Sequence, residues 1–597
     1  MSSRWAPHLT RAHAALRMVF TPTNAACAAP IIMVALLGWH QRWISDDGWI
    51  NIRVVEQVLA GNGPVYNAGE RVEVTTSTLW FGFLLAGAYV LPSVEPQVTG
   101  AVMGWILTIA GMTFASLGAG QLFRSRRPVM YVPVGMLAVA ALPPMWDFTT
   151  SGLETGLSFA WLGGCFWMLA HRAVAHEDGA RRAHEDGARR PAWWPLWPAF
   201  VIGLGPLVRP DFALYSVLFA VGLLMSSRLR WSRWWDWPIT LVLALAVPAA
   251  YQVFRMGFYA ALVPNTALAK DATDTRWQQG LIYLVDYAGL YVLMVPLVVG
   301  ALGTGLHMTY AWRTRGQARW AVVGAPLLGA AMHVAYIVRV GGDFMHARFL
   351  LPDTFAVLMP AAVVGITIAW RQLALVATAF VAGWAVAIAS SARTPYTDAA
   401  SDDGIANERE FWAAHTITGD LLTRADWLAG GLGQVGTRAR WDHEAGWSYY
   451  DNGSVRLDSA TGEGVYIAVQ NLGIISIAAG TEVTVVDKLA LSDGITSHSV
   501  FDPRLVGDTR VGHAERPDAW RVARYARFRI DEPDRITHAR LALQCGDLAV
   551  LQDAISGELT EEKFWANVRL SPRLTFFTFP ADPATARKEL CGWAPGW

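Results

Sequence analysis

The sequence predicts a polytopic α-helical membrane protein of about eleven transmembrane helices, followed by a C-terminal soluble domain of mixed α/β structure. Three observations carry this expectation. Of 597 residues 53% are hydrophobic and only 16% charged, where a soluble protein has about a quarter charged. Mean hydropathy is +0.29. The charge is also unevenly placed: as far as Ser391 long apolar runs alternate with short polar loops, and from about Thr394 a charged residue recurs every few positions. The chain therefore divides into a transmembrane domain, 1–393, and a soluble domain, 394–597, the latter of about 200 residues and large enough to fold alone.

A span needs roughly 17–25 apolar residues. Such runs lie at 19–42, 99–122, 128–146, 157–173, 194–208, 210–227, 238–256, 280–308, 319–338, 349–369 and 371–392. Arg4, Arg11 and Arg17 precede the first run, which reads as an uncleaved signal anchor with a cytoplasmic N-terminus. The basic loops 124–127, 172–190, 228–233 and 313–319, with Arg371, belong in the cytoplasm by the positive-inside rule. Between the first run and loop 124–127 lie two apolar stretches, 79–95 and 99–122. If both crossed, that loop would be outside, so 79–95 is read as an interfacial helix that does not cross. The soluble domain and nearly every unusual polar motif then share the external face.

Other features are plainer. Net charge is zero, which gives no footprint for nucleic acid. An eight-residue tandem duplication at 175–190 contains His and acidic residues, but reads as a duplicated solvated loop and not a metal site. In the soluble domain the β-rich runs 465–469 and 483–487 flank a short helix at 472–479, a β-α-β unit, while Gly430 to Gly436 and the stretch from Gly494 read as loops. Cys27 and Cys165 lie in apolar runs. Cys545 and Cys591 share the soluble domain and form a natural disulfide pair if it faces an oxidising compartment.

The chemistry concentrates just past the first span. In Trp43-Ile44-Ser45-Asp46-Asp47-Gly48-Trp49 two carboxylates sit against a bilayer face, where they are costly unless they bind or react. Neighbouring carboxylates can split roles, one raising the other's pKa. Asp46 is taken as a general base and Asp47 as part cap, part ligand; the structural alternative is that one Asp caps a helix over 49–59. Lys270, the only lysine before residue 393, suggests a point charge for a phosphate. Gly341-Gly342-Asp343-Phe344-Met345-His346-Ala347-Arg348 gathers Asp343, His346 and Arg348 between two spans, and Arg348 could clamp a phosphate. Ser151-Gly152-Leu153-Glu154-Thr155 and Arg209-Pro210-Asp211 add polar groups to the same face, as ligands, as helix caps, or as a local Arg209–Asp211 pair.

Together with Gly63-Pro64-Val65-Tyr66-Asn67, Pro264-Asn265-Thr266 and Val486-Asp487-Lys488, these motifs resemble polyprenyl-phosphate-dependent membrane glycosyltransferases of the GT-C fold class. Among them the chain looks most like the actinobacterial terminal β-(1→2) arabinofuranosyltransferases. The resemblance implies transfer of arabinofuranose from decaprenylphosphoryl-arabinose to the non-reducing ends of the arabinan of arabinogalactan or lipoarabinomannan. It implies a multi-pass plasma-membrane protein whose active site and C-terminal domain are periplasmic. Asp46 and Asp47 would be catalytic, Lys270, Arg348, His346 and Arg53 would hold the donor phosphate, and Trp49, Glu154, Asn265, Asp343 and Arg209 would contact sugar or acceptor. No cofactor is expected; the paired carboxylates could take a divalent cation, but no further ligands mark a site. A flippase for a lipid-linked sugar would also need many spans, although carriers keep their polar groups nearer the midplane. A glycan-binding scaffold would not need so many.

Overall fold

The computed structural model describes residues 22–592, apart from 124–128, 187–195, 227–235, 271–274, 314–316, 397–399, 417–420, 445–446, 451–454, 460–466, 470, 507–513 and 528–531. Most of the basic loops expected in the cytoplasm, and the side chains of most of the tandem duplication, lie outside the described residues.

The chain is predominantly helical. Among the described residues four helices are long and apolar enough to cross a bilayer: Pro96–Phe123, Pro238–Tyr259, Ala318–Val340 and Ile368–Ser391. A fifth crossing would come from Trp277–Leu290 and Met294–Gly305, which meet at 84°. The bend falls at Val292, a β-branched residue at φ 47°, where the helical ladder cannot continue. The helix Thr78–Val90 has 13 residues, about 20 Å at 1.5 Å per residue, against a hydrocarbon core of about 30 Å.

Two of the expected spans contain strand as well as helix. Run 128–146 breaks into a strand, Met130–Val132, and two short helices, Val134–Ala140 and Pro143–Asp147. Run 349–369 becomes a helix, Leu351–Leu358, a 3₁₀ turn, Met359–Ala361, and a strand, Val364–Ile366. The strands pair antiparallel, Tyr131 opposite Gly365. Proline explains the breaks: Pro133, Pro143, Pro144 and Pro360 each remove a ladder donor, and the strand pair satisfies the backbone groups thus released.

The most extensive helix–helix packing in the apolar part is between Pro96–Phe123 and Thr155–Asp186, through a glycine seam at Gly104, Gly111 and Gly118. A Cβ at Gly118 would lie 2.8 Å from the Phe166 ring, and one at Gly111 2.5 Å from the Phe159 carbonyl oxygen. Small residues at such a seam let two backbones approach where hydrophobic driving force is weak.

The second hydrophobic core lies beyond Thr394 but also takes in Ile50, Val54, Tyr66, Val72 and Val74 from the first loop. Its centre is a β-α-β unit: strands Ile467–Val469 and Val485–Asp487 pair parallel around the helix Leu472–Ala479. Gly431–Glu444, expected as a loop at its start, is a helix that packs on Leu472–Ala479. Its glycines serve close approach, since a Cβ at Gly436 would strike the Ile475 carbonyl. Cys545 and Cys591 are joined by a disulfide with Cα atoms 5.2 Å apart, while Cys27 and Cys165 are free.

Candidate active site

The carboxylate pair opens a helix, Asp46–Leu59, whose N-cap is Ser45 and neither aspartate: the Ser45 hydroxyl accepts from the Gly48 N–H at 2.9 Å. The approach strand is clamped on both sides. Ile44 N–H donates to the Leu421 carbonyl and Ser45 N–H to that of Ser151, each at 2.9 Å. Gly48 leaves room for this, because a Cβ there would sit 2.8 Å from the Ser151 oxygen. The Ser151-Gly152 motif thus braces the carboxylate loop.

The two aspartates have different surroundings. Asp46 is buried, and both its oxygens accept from the N-terminus of Leu472–Ala479: Gly473 N–H to Oδ2 at 3.1 Å and Ile474 N–H to Oδ1 at 3.0 Å. Burial pushes its pKa up to about 6, against the pull of those two donors and with a further push from Asp47. Asp47 is partly open, its side chain 26% exposed, and its Oδ2 accepts from Arg348 Nη1 at 3.0 Å.

Both aspartates line a cavity of about 160 Å³ whose wall also includes Lys270, Phe344, Glu408 and Trp412. The first-loop carboxylates and the lone lysine, far apart in sequence, therefore share one space. Lys270 Nζ lies 5.8 Å from the Phe344 ring centre and has no carboxylate within ion-pair reach among the described residues.

Arg348 is oriented by an unusual loop. Gly341 and Gly342 have φ of 99° and 80°, and Ala347 has φ 65°. The left-handed turn at Ala347 sends its neighbours apart. Arg348 reaches Asp47 and, at 3.7 Å, the buried Asp343. His346 goes to Asp286, Nδ1 to Oδ2 at 2.5 Å, and to the Tyr291 hydroxyl at 3.0 Å. Tyr396 donates to the same Asp286 at 2.9 Å. His346 thus lines a second, smaller cavity of about 30 Å³, with Asp147, Arg393 and Arg409, away from Asp47.

Several expected ligands have other work. Arg53 is buried and spends its five donors on the carbonyls of Tyr66, Ser476, Gly480 and Val483 and on Asn67 Oδ1. It ties the first loop to the β-α-β unit and has no donor left for a phosphate. Asn265 is buried and clips the turn after Asp487, donating to the carbonyls of Ala490 at 2.9 Å and Leu491 at 2.8 Å. Trp49 is fully buried, edge-on to Trp427 at 6.3 Å, with no face for a sugar. Glu154 and Arg209 pair at 3.2 Å, and Arg209 also grips Asp211. That pair continues into His333, which bonds Asp211 at 3.0 Å and Asp353 at 2.9 Å. Asp286, His333 and Asp353 lie inside apolar runs, and an ionisable residue in such a run is itself a signal.

Glu408 was not foreseen. It begins the helix Glu408–His415, capped by Asn407, and reaches the site because Ala406 pairs with the Phe344–His346 backbone: Ala406 N–H donates to the Phe344 carbonyl at 2.7 Å and His346 N–H to that of Ala406 at 2.9 Å. Glu408 is buried, and its Oε1 accepts from the Asp46 N–H at 3.2 Å and Trp412 Nε1 at 3.1 Å. Burial foremost, then Asp47, pushes its carboxyl well above the usual range. Among the described residues no group of three or more His, Cys, Asp or Glu is arranged to hold a metal ion.

Over 93% of its length the chain is 33% identical to the terminal β-(1→2)-arabinofuranosyltransferase of Mycobacterium tuberculosis, covering 95% of that protein. The chain belongs to the terminal β-(1→2)-arabinofuranosyltransferase family. A second member, from Corynebacterium glutamicum, is 38% identical across 58% of the chain and 51% of its own length. Residues 436–588 match the AftB family C-terminal domain, so the β-α-β unit that holds Asp46 belongs to the family's C-terminal domain. No solved structure matches the chain. As an arabinofuranosyltransferase by family, the protein is a glycosyltransferase, and its apolar helices make it a membrane protein.

Proposed function

We propose that this protein transfers arabinofuranose from decaprenylphosphoryl-arabinose to the non-reducing ends of cell-wall arabinan, forming terminal β-(1→2) linkages at the external face of the plasma membrane. The observation that carries this reading is the common cavity of Asp47 and Lys270, with Arg348 against Asp47. It brings a carboxylate and Lys270 to one cavity, with Arg348 bonded to that carboxylate at 3.0 Å. Family membership supports the sugar and the linkage.

In this reading the general base is Asp47, the exposed member of the pair, and Asp46 is a positioning residue whose oxygens are already committed to Gly473 and Ile474. The acceptor hydroxyl loses its proton to Asp47 as its oxygen attacks the anomeric carbon. The bond from that carbon to the phosphate oxygen breaks, and the electron pair leaves with the phosphate. Lys270 and Arg348 stabilise the charge that develops there, which in a water-poor site is commonly a large part of the rate. The prenyl tail stays between the apolar helices, while residues 394–597 face the aqueous side and bound the acceptor. The count of eleven spans and the external orientation belong to the same proposal.

The test is transfer by purified protein offered a panel of lipid-phosphate sugars and an oligoarabinofuranoside. Arabinose is the expected substrate, with a terminal β-(1→2) product, and preference for another sugar defeats the assignment. D47N should lower kcat by about 10²–10⁴-fold, the usual worth of a general base; a D47N enzyme of near wild-type rate removes Asp47 from the chemistry.

A further inference from the structure

Glu408 has one committed oxygen and one free. Oε1 takes the Asp46 N–H and the Trp412 indole N–H, while Oε2 is buried with no hydrogen-bond partner. The residue is 8% exposed and lines both the Asp47–Lys270 cavity and the smaller cavity around His346. A buried carboxylate oxygen without a donor is costly. A carboxylic acid in the same place is different: its O–H has something to give.

The charges around it agree. From the helix Asp46–Leu59 it meets Asp46 and Asp47, and across the first cavity Lys270. Arg348 is shared between Asp47 and Asp343. On the side of the smaller cavity stand Asp147, His346 and Arg393, and from its own helix Arg409 and Glu410. His346 is bonded to Asp286, and Arg409 pairs with Glu410 at 3.2 Å. No cation among these forms an ion pair with Glu408.

We propose that Glu408 is held as a neutral carboxylic acid whose Oε2–H turns into the cavity when the acceptor enters and donates a hydrogen bond to a hydroxyl oxygen of the acceptor sugar, fixing that sugar beside Asp47. The inference rests on the reading that the cavity receives an arabinan acceptor. Trp412, held by the same carboxyl, lines the cavity and gives the acceptor an apolar wall.

The experiment is binding of a synthetic oligoarabinofuranoside to the full-length protein in detergent, without donor, followed by transfer kinetics. E408A should weaken binding about ten-fold, the usual worth of one neutral hydrogen bond, and raise the acceptor KM more than the donor KM. E408Q, which keeps an uncharged donor of the same shape, should recover most of that loss. Wild-type binding should also weaken as pH rises and the acid ionises, and E408Q should lack that limb. Equal binding by E408A and wild type overturns the proposal, and so does E408Q no better than E408A, which would demand an ionised carboxylate. A shift confined to the donor KM overturns it too. Failure of the wild-type protein to bind the glycan is a separate result: it defeats the functional reading itself.

Discussion

Asp46 and Asp47 are neighbours in one helical turn, yet the fold gives them opposite environments. Asp46 faces the N-terminus of Leu472–Ala479, Asp47 faces the cavity. The burial of Asp46 has a consequence for stability. Its pKa rises from 3.8 to about 6 on folding, so the folded state holds its proton more tightly than the unfolded chain. That contribution is complete below about pH 4 and is lost as pH rises through about 6; a shift of some two units is on the order of 3 kcal/mol. Asn at this position cannot ionise. The melting temperature of wild type relative to D46N should therefore fall between pH 4 and 7, and parallel pH curves would show that Asp46 does not titrate there. Lys270 and Arg53 separate in the same way. K270A should raise the donor KM with little change in melting temperature, whereas R53K should lower the melting temperature by several degrees and leave the donor KM alone. If R53K acts on donor binding while stability holds, the carbonyl cluster around Arg53 has been misassigned.

At the scale of elements, the contact that matters is between Asp46–Leu59 and Leu472–Ala479. Gly473 makes it: an added Cβ would strike the Asp46 carbonyl oxygen and lie 2.7 Å from Oδ1. G473A should force the two helices apart at a cost of about 1–3 kcal/mol, typical of overpacking, and slow transfer together with it, as read by thermal melting and kinetics on one preparation. Full activity in G473A would mean that Asp46 can leave the helix N-terminus without harm to the site. The strand–helix–strand order of this unit is legible from β-branched runs on either side of a short apolar helix. The helix Gly431–Glu444 is not, because glycines that allow close packing look the same in sequence as glycines that make turns.

At the scale of the molecule, the site lies where the membrane helices meet the rest of the chain. Glu70 pairs with Arg524, Glu73 holds Arg255 at 2.6 Å, and Arg71 donates to the carbonyls of Ala554, Ser556 and Gly557. The first loop is thus a seam, and the boundary expected near residue 393 runs through the cavity, with Glu408 and Trp412 beyond it. The Cys545–Cys591 bond closes a separation of 46 residues, which on chain-entropy grounds stabilises by about 4 kcal/mol. C591S should lower the melting temperature by several degrees. In intact cells, Cys545 freed by that change should react with a membrane-impermeant maleimide; labelling only after permeabilisation would put this part of the protein in the cytoplasm and end the external assignment.

The sequence by itself determined the class of the molecule, a helical membrane glycosyltransferase, and marked the carboxylate pair, Lys270 and the Gly-Gly-Asp loop as candidates for its chemistry. The glycosyltransferase class comes from the resemblance of its motifs; the candidates follow from cost, because charge beside a bilayer and ionisable groups in apolar runs are expensive wherever the chain goes. Tertiary structure alone decided which carboxylate is open, that Arg53, Asn265 and Trp49 are spent on the fold, and that Glu408 comes to the site. A side chain is free for a ligand only if no backbone group has claimed it first, and those claims are made by residues hundreds of positions away.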